Sequence, residues 1–229
     1  MRVRVVGKDK QRCRELERMF TKAGFLLARD PDMMICLGGD GTYLFAERKF
    51  PHIPKLIIRD NSVAKKARYG WKDVPMILQK LKKSRFRVRP HFTLEARAGK
   101  DRLRGINEVT IRNRLPTNCI RFRLHINGRL LGKVFIGDGI IVATPFGSSG
   151  YHQSAGGNPL TQGIGLVFNN PTEPHRGQEL RKDAVLHFLL IREEATLSVD
   201  NNPRIIRLRP GARVTITKST DAASFVELL

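Results

Sequence analysis

The chain has 229 residues, which is enough for one large domain or two smaller ones with a hydrophobic core. No apolar run approaches the roughly 18 residues that span a bilayer, and the N-terminal residues lack the layout of a secretory signal, so we expect a cytoplasmic protein without a membrane segment. Lys and Arg number 42 against 21 Asp and Glu, and the net charge of +21 favours a polyanionic partner: nucleic acid, an anionic membrane surface or a phosphate-rich small molecule.

The first third of the chain alternates between strand and helix patterns. Residues 2–7 alternate apolar and polar side chains, and residues 9–24 carry an apolar stripe at helical spacing that stops at Gly24. The elements predicted next are a strand in 30–39, a helix from 42 to about 48, a strand at 53–60 and a helix at 74–84. This order of elements is typical of a parallel α/β unit.

After Ser84 the sequence has a period of two, which predicts strands separated by turns such as Asn127-Gly128. The strand-like segments are 85–98, 106–113, 120–128, 133–145, 184–191, 195–200 and 212–219. The sequence therefore predicts a second, β-rich domain from about residue 86. A cleft between two packed domains is the usual place for a ligand.

Basic and apolar residues alternate within two of these segments, 85–90 and 120–126. Because successive side chains of a strand point to opposite faces, we expect the basic side chains to share one solvated face. Aromatic residues make up 7% of the chain, which is few for base-stacking platforms. A nucleic-acid partner is therefore not expected, despite the net charge.

The three cysteines, Cys13, Cys36 and Cys119, are odd in number and far apart. This spacing predicts neither a disulfide framework nor a zinc cluster. Cys36 lies within an apolar run, and we predict that it is a packed core thiol.

The segment "GGDGT" (38–42) joins a predicted strand to a predicted helix. Its glycines permit positive φ and close approach of a ligand, and N–H groups at a helix start favour anionic oxygens. The segment is neither a Walker A loop nor a dinucleotide fingerprint. Asp40 could be the N-cap of the following helix or a group that meets a ligand, and the segment alone leaves both interpretations open.

Two further segments contain polar residues at strand ends. Asn107 and Glu108 lie between Ile106 and Val109 in a predicted strand, so one of the two would point inward unless the strand ends there. An amide next to a carboxylate suits vicinal ribose hydroxyls. In 137–157 an apolar strand is followed by glycines and serines around one tyrosine, a composition that favours a backbone cradle for a ligand. The segment is not Gly-x-Ser-x-Gly, so a serine nucleophile is not expected.

Together, "GGDGT", the "NE" pair and "DGIIVATPFGSSGYHQSAGG" (138–157) resemble the NAD kinases, which phosphorylate NAD to NADP. The first motif is shared with diacylglycerol and sphingosine kinases and, more distantly, phosphofructokinases. The resemblance covers residues 33–160. It implies a Rossmann-like α/β domain at 1–85, completed by 218–229, a β-rich NAD-binding domain at 86–217, and an active site in the cleft between them.

The resemblance also implies roles for individual residues. Asp40 is the implied catalytic residue, placed beside the 2′-hydroxyl of the acceptor, either as a base or as a group that positions metal and hydroxyl. Gly38, Gly39 and Thr42 form the implied donor-phosphate loop. The implied NAD-binding residues are Gly41, Asn107, Glu108, Asp138, Ser149, Gly150, Tyr151, Ser154, His175 and Asn202.

The implied reaction uses ATP or polyphosphate as the donor and Mg²⁺ or another divalent cation, whose ligands are not assigned beyond a place near Asp40. Phosphoryl transfer depends mainly on positioning and charge neutralisation, and a basic protein would attract both phosphate-rich ligands. The family's subunits often share the site across an interface, so a homo-oligomer is implied.

The chain departs from the family pattern at 58–71, where an Asn-x-Gly-x-Leu-Gly-Phe stretch is usual, and at 146–150. In the family the first of these stretches helps shape the adenosine pocket, and the second lies in the loop implied to bind the nicotinamide ribose. The identity of the acceptor therefore stays open at this point. The alternatives are a kinase of the same superfamily acting on another nucleotide-like or lipid hydroxyl, and a non-catalytic member that binds nucleotide or nucleic acid.

Overall fold

A computed structural model describes residues 1–60 and 66–229 of the chain. It divides the chain into two compact units: the first comprises Met1–His91 and Ala222–Leu229, and the second comprises Phe92–Asp221. The sequence placed these boundaries after residues 85 and 217. Two strands continue from one unit into the other.

The first unit contains a parallel sheet. Its elements are β1 (Arg2–Gly7), α1 (Lys10–Lys22), β2 (Leu26–Leu27), β3 (Met33–Leu37), α2 (Asp40–Lys49), β4 (Lys55–Arg59), β5 (Tyr69–Gly70), a 3₁₀ turn (Trp71–Asp73) and α3 (Val74–Lys82). The strands pair in the order β2-β1-β3-β4, β5 also pairs with β4, and every pairing is parallel. The α/β prediction for this part of the chain is therefore confirmed.

Local chemistry explains how α1 begins and ends. The carboxylate of Asp9 accepts the backbone N–H groups of Gln11 and Arg12 at 2.9 and 3.0 Å, which caps the first turn. Gly24 follows the last turn with φ of 87°, a conformation that glycine adopts without strain. The helix buries Leu16 and Phe20 against the sheet core.

Strand β3 is buried along its whole length, as expected for the centre of a parallel sheet. Cys36 lies within it and is fully buried, which confirms the prediction of a core thiol. Burial raises the pKa of this thiol to about 12. All three cysteines are free thiols.

The second unit is built mainly from antiparallel strands. Its elements are β6 (Phe86–Ala98), β7 (Asp101–Gly105), β8 (Glu108–Asn113), β9 (Ile120–Ile126), β10 (Arg129–Ala143), α4 (Tyr151–Ser154), β11 (Ile164–Pro171), β12 (Gln178–Leu180), β13 (Leu186–Arg192), β14 (Ala195–Val199), β15 (Ile206–Leu208) and β16 (Arg213–Leu228). The order is β15-β14-β8-β10-β9-β13-β16, with β11 also on β10, β12 on β11, and β7 on β6. Stacked Phe122 and Phe188, with ring centroids 4.9 Å apart, lie in its core.

The structure corrects several expectations about elements. Helix α2 begins at Asp40 rather than Thr42, and β8 begins at Glu108, so Asn107 precedes the strand. Strand β16 continues to Leu228, well beyond the predicted end at 219. The sequence pattern did not predict β2, β5, β7, β11, β12 or β15.

The two basic segments behave differently. Along β9, Ile120, Phe122 and Leu124 are buried while the arginines between them are exposed, which confirms the expected solvated basic face. In 85–90 the alternation fails, because Val88 is 44% exposed. Among the described residues, no helix has both the length and the apolar character needed to span a bilayer.

Candidate active site

The glycine turn (residues 38–42) connects β3 to α2 in the first unit. The Gly38 N–H donates to the carbonyl of Ile58 at 2.9 Å, and Gly38 has φ of 143°. A Cβ on Gly38 would lie 2.5 Å from the hydroxyl oxygen of Thr42, so this position requires glycine for both conformation and space. The turn therefore places the first turn of α2 directly against the end of the strand.

Asp40 is the first residue of α2 and is half-buried. The N-cap is Gly39, and no side chain caps this helix, so the interpretation of Asp40 as the N-cap is wrong. Its Oδ1 accepts the backbone N–H of Lys66 at 3.2 Å. A carboxylate at this position is stabilised by the helix dipole and keeps further lone pairs for a ligand.

The NE turn (residues 106–108) connects β7 to β8 in the second unit and is organised by Asp200. The carboxylate of Asp200 accepts the backbone N–H groups of Ile106, Asn107 and Glu108 at 2.8, 2.9 and 3.1 Å. The N–H of Asp200 in turn donates to the carbonyl of Glu108 at 3.0 Å. These four bonds explain why β8 begins at Glu108 and leaves Asn107 outside the strand.

Glu108 carries an unusual carboxyl group. Its Oε2 is buried and has no hydrogen-bond partner among residues 1–60 and 66–229. Burial, together with the negative charge of Asp200, raises the pKa of Glu108 to about 8. The carboxyl is therefore mostly protonated at pH 7, so it can both donate and accept a hydrogen bond.

The serine loop (residues 144–150) packs directly on the NE turn. The Thr144 N–H donates to the carbonyl of Asn107 at 2.9 Å, and the Thr144 hydroxyl donates to the carbonyl of Ile106. A Cβ on Gly147 would collide with the backbone of Asn107. A Cβ on Gly150 would lie 3.8 Å from Oε2 of Glu108. The structure thus brings together two of the segments that sequence analysis singled out.

Ser148 has a structural environment rather than that of a nucleophile. It is buried, its hydroxyl donates to the carbonyl of Pro145 at 2.9 Å, and its oxygen accepts the N–H of Leu160 at 2.8 Å. After the loop, α4 presents Tyr151, which is 37% exposed, and Ser154, whose hydroxyl donates to the carbonyl of Gly150 at 3.3 Å. Ser149 is half-buried at the end of the loop.

His152 is buried against Gly157 and Gly165, where a Cβ on either glycine would collide with the imidazole ring. Burial lowers the pKa of His152. The ring lines a pocket of about 380 Å³ together with residues 155–158 and 175–179. His175 lies at this pocket, with its ring 4.9 Å from both Phe135 and Phe168.

Asp138 and Asn202 have partners of their own. The carboxylate of Asp138 accepts the side-chain amides of Asn113 and Asn170 at 3.1 and 3.2 Å. The side-chain oxygen of Asn202 accepts the N–H of Arg204 at 3.0 Å. Asp138 and His175 therefore belong to contact networks different from that of the NE turn.

Sequence reasoning missed Asp200, although it singled out Asn202 in the same turn. Nothing local in the sequence signals this role, because the carboxylate of Asp200 bonds to backbone N–H groups 94, 93 and 92 residues earlier. Part of the departure at 58–71, residues 61–65, lies outside the described residues. No cluster of three or more His, Cys, Asp or Glu side chains in the described ranges is arranged to hold a metal ion.

The first unit is a parallel α/β unit with an aspartate in its glycine turn, and the second is a β-rich unit in which the serine loop packs on a polar turn. These features agree with the resemblance to kinases that share the Gly-Gly-Asp-Gly-Thr motif. Residues 106–228, more than half of the chain, match the family model of the ATP-NAD kinase C-terminal domain. The chain therefore belongs to the NAD kinase family.

Relatives and solved structures agree with this assignment. The NAD kinase of Clostridium beijerinckii is 28% identical to this chain over 203 residues, which cover 83% of this chain and 71% of the relative. The NAD kinase of Chlorobium limicola is 29% identical over 213 residues, which cover 87% of this chain and 72% of the relative.

Two solved structures show the same fold. Yeast NADH kinase complexed with NADH has a TM-score of 0.89 at 18% identity and covers 100% of this chain and 84% of its own. An Archaeoglobus fulgidus NAD kinase in complex with ATP has a TM-score of 0.85 at 22% identity, with coverage of 98% and 93%. The predicted fold class, an α/β domain followed by a β-rich domain, is confirmed.

Proposed function

We propose that this protein transfers a phosphoryl group from ATP or polyphosphate to the 2′-hydroxyl of the adenosine ribose of NAD, giving NADP. The observation that carries the proposal is the match of residues 106–228, which contain the NE turn and the serine loop, to the ATP-NAD kinase C-terminal domain. The ATP complex of the structurally similar Archaeoglobus kinase supports ATP as a donor.

Asp40 is the proposed catalytic residue. In the reaction a bond forms between the 2′-oxygen and the terminal phosphorus of the donor, while the bond from that phosphorus to the bridging oxygen breaks. ADP or the shortened polyphosphate leaves, and the proton of the 2′-hydroxyl passes to the Asp40 carboxylate, which accepts one backbone N–H from the described part of the chain. Gly38, Gly39 and Thr42 supply the proposed donor-phosphate loop at the start of α2.

A divalent cation fits this arrangement. Mg²⁺ commonly binds through one or two carboxylates plus substrate phosphates, and Asp40 places one carboxylate at the start of α2. Asp40 would be its protein ligand. When bound there, the ion would supply positive charge that offsets the negative charge of the donor phosphates.

The NE turn is the proposed ribose-binding element. Asn107 supplies an amide and Glu108 a protonated carboxyl, and together they offer donors and acceptors to vicinal hydroxyls. The proposed NAD-binding set is completed by Gly41, Asp138, Ser149, Gly150, Tyr151, Ser154, His175 and Asn202. A homo-oligomeric, cytoplasmic protein is part of the same proposal. The oligomer rests on the family resemblance, and the cytoplasmic location rests on the sequence pattern.

The proposal is tested by incubating the purified protein with NAD, Mg²⁺ and either ATP or polyphosphate, and by measuring NADP with an NADP-specific dehydrogenase. NADP should form with at least one donor and should stop forming when EDTA is added. The variant Asp183→Asn, which changes an exposed carboxylate paired with Arg181, is the matched control and should retain activity. Binding of NAD without turnover with either donor would support a non-catalytic member of the family instead.

A further inference from the structure

Asp200 occupies a backbone site of a kind that often binds free anions. Three successive N–H groups, from Ile106, Asn107 and Glu108, converge on its carboxylate at 2.8 to 3.1 Å. Convergent backbone N–H groups form anion-binding concavities in many proteins. Here the anion is the carboxylate of Asp200. Because it occupies these N–H groups, they are not available to a phosphate, and it stabilises the conformation of the NE turn.

The backbone of Asp200 adopts an uncommon conformation for this purpose. Its φ of 49° lies in the left-handed region, which non-glycine residues adopt at some cost and in which Asp is enriched. Gly105 leaves room for the side chain, because a Cβ there would collide with Val199 and Asp200. Four hydrogen bonds stabilise this conformation: the Asp200 carboxylate accepts three backbone N–H groups, and the Asp200 N–H donates to the Glu108 carbonyl.

We propose that Asp200 is a positioning residue for the acceptor: it fixes the backbone of residues 106–108 and thereby directs Asn107 and Glu108 at the ribose of NAD. This inference rests on the proposed function for the identity of the ligand. Asp200 contacts the turn through backbone groups, so it acts through its neighbours rather than on the substrate.

Asp200 also acts electrostatically on Glu108. Burial is the larger cause of the raised pKa of Glu108. The second cause is the negative charge of Asp200, which disfavours ionisation of the Glu108 carboxyl. A neutral Glu108 adds no repulsion to the diphosphate of NAD, and bound NAD buries the carboxyl further. The affinity for NAD should therefore fall as pH rises through about 8.

The experiment compares Asp200→Asn with the control Asp183→Asn. The asparagine keeps one oxygen that accepts backbone N–H groups but removes the charge and one acceptor. We expect the dissociation constant of NAD, measured by calorimetry without a donor, to rise roughly ten- to a hundredfold. With saturating NAD, kcat should change by less than about threefold, because Asp200 does not touch the reacting atoms.

A second measurement separates positioning from general loss of structure. The carboxyl of Glu108 is titrated by ¹³C NMR in the unliganded protein, and Asp200→Asn should lower its midpoint from about 8 while leaving it above 4.5, because burial remains. Circular dichroism and the melting temperature confirm that both variants are folded.

The possible outcomes are distinct. Unchanged NAD affinity together with an unchanged Glu108 midpoint in Asp200→Asn would overturn the inference. If the unsubstituted protein forms no NADP with either donor, the proposed function fails. The NAD affinity of Asp200→Asn, measured without a donor, then still decides whether Asp200 orders the NE turn for binding, and the Glu108 midpoint reports its electrostatic action. A loss of kcat with unchanged NAD affinity would also contradict a positioning role in acceptor binding.

Discussion

Asp40 in the first unit and Asp200 in the second are both aspartates that lie in turns near glycine, yet their hydrogen bonding differs. Asp40 accepts one backbone N–H from a described residue, at 3.2 Å, whereas Asp200 accepts three at shorter distances. A carboxylate saturated by backbone donors stabilises its turn and has little capacity for a ligand. The number of backbone N–H groups that each carboxylate accepts therefore distinguishes Asp40, proposed to contact the substrate, from Asp200, which shapes the NE turn.

The largest effect expected from this comparison is on turnover in Asp40→Asn. The amide is nearly isosteric and keeps the acceptor for the Lys66 N–H, but it cannot take the hydroxyl proton, so kcat should fall by at least about a hundredfold. The free energy of unfolding should change by less than about 1 kcal/mol. Initial rates of NADP formation and urea unfolding measure the two quantities, and a variant with near-normal kcat would contradict the role of Asp40.

Asp200→Ala should show the opposite pattern, with a loss of stability in the second unit. The substitution leaves three backbone N–H groups without their acceptor, and we expect the free energy of unfolding to fall by about 2–4 kcal/mol. Urea unfolding measures this loss, and Asp183→Ala, which removes an exposed ion pair, is the control. Equal stability of the two variants would show that the NE turn does not depend on Asp200.

Glu108→Gln tests the protonation state of the NE turn. In the folded protein Glu108 has a pKa of about 8 against 4.5 for the free side chain, so the folded state holds an extra proton between these values. Its contribution to stability is greatest below pH 4.5 and is lost as pH rises through 8. Glutamine removes this dependence, so the stability of the variant should decline less than that of the parent between pH 5 and 9.

The same variant should bind NAD with an affinity that no longer falls above pH 8, because its side chain cannot ionise. Calorimetry between pH 6 and 9 measures this. The control is Glu193→Gln, which changes an exposed carboxyl paired with Arg192 and should retain the pH dependence of the parent. Identical pH profiles for parent and Glu108→Gln would rule out Glu108 as the titrating group.

The smallest effect is expected at Glu227, whose carboxylate accepts hydrogen bonds from Arg68, Arg87 and Arg89. These bonds lower its pKa, so its contribution to stability is present above pH 4.5 and is lost as pH falls. All three arginines are about half exposed or more, so solvent screens these ion pairs and Glu227→Gln should have only a small effect on stability. Urea unfolding at low and high salt measures this cost, which salt should reduce further.

Local chemistry accounts for the features that could be predicted from sequence. Asp9 and Gly24 mark the ends of α1 because a cap and a left-handed residue act within one turn. The apolar run around Cys36 predicted a buried strand for the same local reason. The composition of the serine-rich segment suits ligand binding better than packing. The "GGDGT" and "NE" segments became informative only together with it, through the resemblance of the three to the NAD kinases.

The remaining features depend on residues far apart in sequence. Strand β8 begins at Glu108 because Asp200, 92 residues later, holds the N–H groups before it. Lys55 lies in the predicted strand β4 and is fully buried in an ion pair with Glu47, which no periodicity signals. The N-cap interpretation of Asp40 was wrong because capping depends on backbone geometry that Gly39 supplies.

The division of the first unit between Met1–His91 and Ala222–Leu229 has a consequence for synthesis on the ribosome. Val226 and Leu228 belong to the core of this unit, and Phe225 pairs with Lys55 of β4. These residues are translated after the whole of the second unit, at about 5–20 residues per second. The first unit therefore cannot complete its sheet until the last residues of the chain are translated, although most of its strands are made first. Until then, β4 lacks its pairing with β16.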